Sequence, residues 1–193
     1  ADAVFAVFFG RGSLQFVKQY AESGLKAKIP LIGNGTLTDE SVLPQMGDEA
    51  LGVYTALHYS AALDHPTNKK YAKAFEAKAG KIPSYYAETC YTNMRWIVEA
   101  IKAINGKVED REAFLAALKK VELKDFPRGP VVIDKWGNPV QNIYVRKVER
   151  VGGQLQNAVI FTYPAVSQFW KYNPDEFLKQ PLYTRDYPPC KHC

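Results

Sequence analysis

The feature that most limits the possible folds is an apolar run near the start of the chain, followed by a helical pattern and a second apolar run. Residues 4–9 are continuously apolar, which is typical of a strand buried on both faces of a parallel sheet. After a glycine-containing break, apolar residues recur three or four apart over residues 14–25. Further strand patterns follow at 29–32 and 52–59. This alternation predicts right-handed βαβ crossovers and a parallel sheet.

The second half of the chain changes its pattern twice. Three amphipathic stretches predict helices, and from residue 129 onward apolar residues alternate with polar ones, which predicts a β-meander. The predicted helices cover 68–79, 84–105 and 110–121, and the predicted meander runs to residue 162. The expected fold class is therefore α/β, with a parallel-sheet body, additional helices and a β-meander.

Composition and charge argue against several classes of function. The 25 Lys and Arg are spread among 20 Asp and Glu, so the net charge of +5 forms no basic stripe for nucleic acid. Cys190 and Cys193 have the C-x-x-C spacing of metal or redox sites, but a second ligand pair is missing, and whether they pair stays open. Three histidines form no recognisable catalytic motif. We predict neither a metal, a cofactor nor an enzymatic activity.

Two loops are the candidate binding site. In an open parallel sheet, ligands bind beyond the carboxyl ends of the strands, where residues 8–13 and 33–38 are expected. Each loop leads to a helix N-terminus, which favours an anion. Within these loops an arginine can clamp a carboxylate, an aromatic ring can pack on the ligand, and polar groups can bond to it. The predicted ligand-binding residues are Phe9, Gly10, Arg11, Asn34, Gly35 and Thr36.

Each of these residues also has a plain structural interpretation, and a different protein class is an alternative. Arg11 can be a solvated loop charge, and the phenylalanines can belong to the core. Gly10 and Gly12 match the start of a dinucleotide-binding motif, but Gln15 stands where the third glycine belongs. A nucleotide-cofactor-binding α/β enzyme therefore remains the weaker alternative.

Taken in order, short stretches of the chain resemble the type I periplasmic solute-binding proteins of ABC importers. The resemblance is to the branched-chain amino acid (Leu/Ile/Val) binding group and to its relatives that bind aromatic acids. It extends over residues 1–162. The stretches are AVFAVFFG (3–10), FVKQY (16–20), IPLIG (29–33), GV (52–53), PSYYA (83–87) with Tyr91, RGPV (128–131) and GNPVQN (137–142).

The resemblance implies two α/β lobes that close on a small carboxylate-bearing ligand, without catalytic residues. Residues 1–51 would belong to the second lobe, 52–125 would hold a crossover and helices that pack on the first lobe, and 126–193 would return to the second lobe. The chain begins directly on a predicted core strand without Met, so we expect the N-terminal half to be missing. The implied partner is an ABC permease in the inner membrane, and the implied location is the periplasm. A receptor-type ligand-sensing module is a further alternative.

The resemblance also bears on the ligand. In amino-acid-binding relatives an aromatic residue before the first glycine packs on the ligand, and Phe9 matches it. An acidic residue in their second loop pairs with the ligand's ammonium group, but here the position holds Asn34, a neutral amide. We therefore expect an aromatic acid in preference to leucine. We also expect an apolar face on Met94, Ile97 and Ile101 to be exposed, because the missing lobe would cover it.

Overall fold

Within the part of the chain that the structure describes, six strands form one mixed sheet. The computed structural model describes residues 1–122, 124–184, 186 and 187. Strands β1, β2 and β3 are parallel neighbours, and β5 lies antiparallel beside β3. Strands β4 and β6 each pair antiparallel with β5. The strands are β1 (Val4–Ala6), β2 (Leu31–Asn34), β3 (Tyr54–Leu57), β4 (Val131–Ile133), β5 (Pro139–Val151) and β6 (Gln154–Val166).

The described residues form five α-helices beside the sheet, and short 3₁₀ turns fill the connection from β2 to β3. Local capping explains where two helices begin, because Ser84 and Asp110 accept hydrogen bonds from backbone N–H groups three residues later. The helices are α1 (Gly10–Glu22), α2 (Pro66–Ala79), α3 (Tyr85–Ala103), α4 (Arg111–Lys120) and α5 (Pro174–Leu178).

The predicted α/β class is confirmed, and the helices lie close to their predicted positions. The first strand is shorter than predicted, since β1 ends at Ala6 and residues 7–9 are exposed. The β-meander is also part of the main sheet and not an addition beside it. Residues 144–147 of β5 pair with β3 along its whole length, so the C-terminal segment completes the sheet that the first strands begin.

Among the described residues, the apolar side chains form three clusters. The largest packs α1 and the 3₁₀ turns on the sheet, around Val17, Leu37 and Val148. A second joins α3 and α4 to the β4–β5 hairpin, around Trp96 and Val131. A third surrounds Tyr59, Leu63 and Tyr144. The second candidate loop contributes Leu37 to the largest cluster.

Helix α3 leaves its apolar stripe in solvent. Its buried residues are Glu88, Thr92, Trp96 and Ala100, whereas Met94 is 58% exposed and Ile97 is 37% exposed. Ile101 is half-buried. The exposed stripe agrees with the expectation from the sequence. Cys90, on the same helix, is also exposed.

Among the described residues, no helix combines the length and the apolar character needed to span a bilayer. Cys190 and Cys193 lie outside the described residues.

Candidate functional site

The parallel strands bring the two predicted loops together at one edge of the sheet. Ala6 of β1 is in register with Gly33 of β2, so the chain leaves both strands on the same side. The Thr36 hydroxyl donates to the Phe8 carbonyl at 2.7 Å and so joins the loops directly. The predicted arrangement on one edge is therefore present, although Arg11 lies in the first turn of α1 and Asn34 is the last residue of β2.

The first loop offers an open N-terminus of α1. Phe9 precedes the helix, no side chain caps it, and its first turn contains no acidic residue. Gly10 has φ of +52°, a left-handed conformation that favours glycine. No atom would contact an added Cβ, so the backbone here is accessible. Arg11 is exposed and makes no hydrogen bond or ion pair with any described residue. The Gly12 N–H already donates to the Phe9 carbonyl, so the N–H groups of Gly10 and Arg11, beside the Arg11 guanidinium, are the donors left for a carboxylate.

The two phenylalanines of this loop differ in their availability. The ring of Phe8 stacks on Phe16 with centroids 4.5 Å apart, which ties it to the packing of α1. Phe9 is 58% exposed and forms no aromatic pair with the described residues. Phe9 is therefore the ring of this loop that can pack on a ligand.

The second loop is more buried than its predicted role requires. Gly35 and Thr36 start a 3₁₀ turn, Gly35–Thr38, in which every residue is buried. A Cβ on Gly35 would meet the Leu57 side chain at 2.4 Å, so glycine is needed here for packing. The Thr36 hydroxyl is occupied by Phe8 and Asn34. Asn34, which is partly exposed, is thus the residue of this loop with a side chain left for a ligand.

A buried arginine holds the second loop in place through hydrogen bonds to its backbone. Arg146 of β5 is fully buried, and its guanidinium donates to the carbonyl oxygens of Gly35 and Tyr59 at 2.7 and 2.9 Å. It also donates to the Thr55 hydroxyl. Burial lowers the pKa of Arg146, while the nearby Glu40 carboxylate at 3.7 Å opposes this shift. Arg146 is not among the predicted site residues, because nothing in the local sequence pattern links it to a loop 111 positions away.

The two acidic residues after the second loop are both engaged within the protein. Asp39 accepts from the backbone N–H groups of Ser41 and Tyr85 and from the Ser41 hydroxyl. Glu40 accepts from the amide of Asn157 and lies beside Arg146. Burial raises the pKa of Glu40, and Arg146 counteracts it. Both carboxylates are thus bonded to protein groups, although Glu40 Oε2 has no hydrogen-bond partner among the described residues.

A second polar cluster occupies the same edge where β3 ends, and the sequence analysis did not identify it. His58 follows β3 directly and lies 3.2 Å from the Thr89 hydroxyl. Arg128 donates to that hydroxyl at 2.8 Å, to Gln141 at 3.0 Å and to both oxygens of Glu88. The Arg128–Glu88 pair is almost completely buried. It ties α3 to the segment that enters β4.

This cluster forms the polar end of a cavity of about 670 Å³ between α3, α4 and the β4–β5 hairpin. The other walls are largely apolar, and none of the six predicted site residues lines it. The apolar part of the lining is formed by Trp96, Ile97, Leu115, Leu118, Val131, Ile133 and Pro139. The cavity therefore extends the exposed stripe of α3.

We expect His58 to make the stability depend on pH. Burial lowers its pKa to about 3, and the charges of Arg128 and Arg146 act in the same direction. The unfolded chain binds a proton near pH 6.5 while the folded chain does not, so stability falls as the pH drops below 6.5. Between pH 7 and pH 5 the loss from this residue is about 2 kcal/mol. Urea unfolding at both pH values should show it, and His58→Gln should remove that difference; an unchanged difference would contradict the assignment.

Among the described residues, no group of three or more His, Cys, Asp and Glu side chains is arranged to hold a metal ion.

Comparison with known proteins gives consistent matches. A family described as "Periplasmic binding protein" matches residues 1–154. The "Leu/Ile/Val-binding protein homolog 6" of Brucella melitensis is 37% identical over 169 residues, which cover 84% of this chain and 43% of that protein.

Two solved structures are similar over the same region. An ABC transporter substrate-binding protein from Sphaerobacter thermophilus shares 38% identity with a TM-score of 0.81 and covers 86% of this chain and 45% of that chain. A solute binding protein of an ABC transporter from Rhodopseudomonas palustris BisB5, in complex with 3,4-dihydroxy benzoic acid, shares 40% identity. Its TM-score is 0.80, with 86% of this chain and 46% of that chain covered. The present chain thus spans less than half the length of the proteins it matches.

Proposed function

Since the chain belongs to the periplasmic binding protein family, we propose that it forms one half of the ligand site of a solute-binding protein for an ABC importer. The ligand is a small carboxylate with an aromatic body. The protein captures this ligand and delivers it to a permease in the inner membrane, without chemical conversion. The protein acts in the periplasm.

The uncapped N-terminus of α1 is the observation that carries this proposal. It presents free backbone N–H groups together with the unpaired Arg11 guanidinium, and the exposed ring of Phe9 stands immediately beside them. A carboxylate can bond to the first two groups while an aromatic body packs on the third.

The state of the nearby acidic residues supports an aromatic acid over an amino acid. An α-amino acid brings an ammonium group, and Asp39 and Glu40 are both buried and engaged with other groups. Burying an unpaired ammonium group is costly. The Rhodopseudomonas protein bound to 3,4-dihydroxy benzoic acid points in the same direction, whereas the Brucella relative is named for branched-chain amino acids.

We further propose the domain organisation expected from the sequence. Residues 1–51 and 126–193 belong to the second lobe, which agrees with the pairing of β5 beside β3 in one sheet. Residues 52–125 contribute a crossover and helices that pack on the first lobe. That lobe lies in an upstream half of the protein, in keeping with the 43% to 46% of each matched protein that this chain spans.

A thermal-shift panel on the full-length protein tests the ligand. Aromatic carboxylates at about a hundredfold excess over their Kd should stabilise it by about 2.7 kcal/mol, and leucine should have a smaller effect. Arg11→Ala should weaken binding about 10- to 100-fold, because a charged hydrogen bond contributes about 1.5–3 kcal/mol.

Arg111→Ala is the matched control, since it also removes an exposed arginine from the first turn of a helix, α4. It should bind like the unchanged protein. Stabilisation by leucine and by no aromatic acid would replace the proposed ligand class. Turnover of a substrate would contradict the binding role itself.

A further inference from the structure

The hydrogen bonds at the sheet edge fix the orientation of the Asn34 side-chain amide. The Phe8 carbonyl can only accept, so the Thr36 hydroxyl must use its one proton to donate there, at 2.7 Å. The Thr36 oxygen can then only accept from Asn34, 2.5 Å away. The Asn34 atom that faces Thr36 is therefore Nδ2, the donor.

The other end of the amide is consequently an acceptor without a partner. Asn34 Oδ1 is buried and receives no hydrogen bond from the described residues. Rotating the amide by 180° would not solve this, since it would place two acceptors, Oδ1 and the Thr36 oxygen, against each other. An unmatched buried acceptor is unfavourable, and a donor that reaches it gains the corresponding free energy.

We propose that Asn34 selects, among aromatic carboxylates, those whose ring carries a hydrogen-bond donor such as a phenolic hydroxyl. This rests on the proposed function and adds a requirement that the carboxylate alone does not impose. Arg11 and the N-terminus of α1 hold the acid group, and Asn34 Oδ1 accepts from the ring substituent. Because Oδ1 is buried while the Asn34 side chain as a whole is partly exposed, this contact requires a small movement of that side chain.

Thr36 is a positioning residue for this selection. It is only 6% exposed, so it acts through the amide that it orients. Without its hydroxyl, the Asn34 amide is free to rotate and can present either its donor or its acceptor. A ligand with an acceptor on the ring is then accommodated as well as one with a donor.

Calorimetric titration of the full-length protein tests the inference with five probes: benzoate, 3-hydroxybenzoate, 4-hydroxybenzoate, 3,4-dihydroxybenzoate and 4-methoxybenzoate. We expect at least one hydroxylated acid to bind at least about tenfold more tightly than both benzoate and the methoxy acid. Asn34→Ala should reduce this ratio to near one while benzoate still binds.

The position of Thr36 supplies a matched pair of variants. Thr36→Val should bring the ratio of hydroxy- to methoxybenzoate affinity to within about threefold of one, and Thr36→Ser, which keeps the hydroxyl, should preserve it. Equal binding of all five acids by the unchanged protein would overturn the role of Asn34 and leave the proposed function standing. Binding of none of them would overturn both. A ratio unaffected by Thr36→Val would remove the positioning role.

Discussion

Replacing Glu88 with Gln is expected to destabilise the protein by about 3–5 kcal/mol, although the two side chains have nearly the same shape. Glu88 is fully buried, accepts two hydrogen bonds from Arg128 and one from Thr92, and has no solvent to replace them. Without the carboxylate, the Arg128 charge stays buried and uncompensated, which is the costly situation for an ion pair. Chemical denaturation at neutral pH measures the effect.

The double variant Glu88→Leu with Arg128→Met separates two quantities. One is the net contribution of the ion pair to stability, and the other is the destabilisation caused by removing one partner alone. Because both charges are removed together, it should lose much less stability than either single substitution. Glu22→Gln is the exposed control, since Glu22 pairs with Lys18 on the surface of α1 and should contribute about 0.3–0.5 kcal/mol. A Glu88→Gln effect no larger than this control would show that the buried pair is unimportant.

Met94→Glu is expected to have very different effects in the 193-residue chain and in the full-length protein. In the chain alone Met94 is 58% exposed, so a charge there should change stability by less than about 0.5 kcal/mol. In the full-length protein the proposed first lobe covers this stripe of α3. An unpaired carboxylate would then be buried, at a cost of about 2–3 kcal/mol or more.

Gln19→Glu provides the control, because it adds a negative charge at an exposed position of α1, in the proposed second lobe. Its effect should be small in both proteins. Urea unfolding of both substitutions, each in the 193-residue chain and in the full-length protein, measures the four changes in stability to be compared. Equal, small effects of Met94→Glu in both proteins would contradict the proposed covering of α3 and, with it, the proposed packing of residues 52–125 on a first lobe.

Local patterns predicted the elements of the fold well, since capping and periodicity act over a few residues. Ser84 and Asp110 begin their helices as expected from the sequence. The end of β1 was not predictable in this way, because residues 7–9 are as apolar as a strand but lie exposed beyond it. Their exposure depends on which neighbours the rest of the chain supplies.

The candidate site was predictable in its location but not in its supports. The strand pattern and its glycine breaks were enough to bring residues 9–11 and 34–36 to one edge. Which of them keep a free side chain depended on contacts that no local pattern contains, such as the packing of Gly35 against Leu57. The buried partners Arg146 and Arg128 looked like ordinary charged residues in the sequence, since charge alone does not reveal burial.

The buried support of the second loop also sets an order of events during synthesis. Residues 35–38 leave the ribosome early, but the Arg146 bond to Gly35 joins positions 111 residues apart, and the Thr38 bond to Asn157 spans 119. At about 5–20 residues per second, translation of the intervening chain takes roughly 6–24 s. Until β5 and β6 arrive, the loop has no guanidinium to hold its carbonyl. A chain that stops before residue 146 lacks the guanidinium that holds the Gly35 carbonyl, so the proposed ligand site is complete only after β5 and β6 have been made.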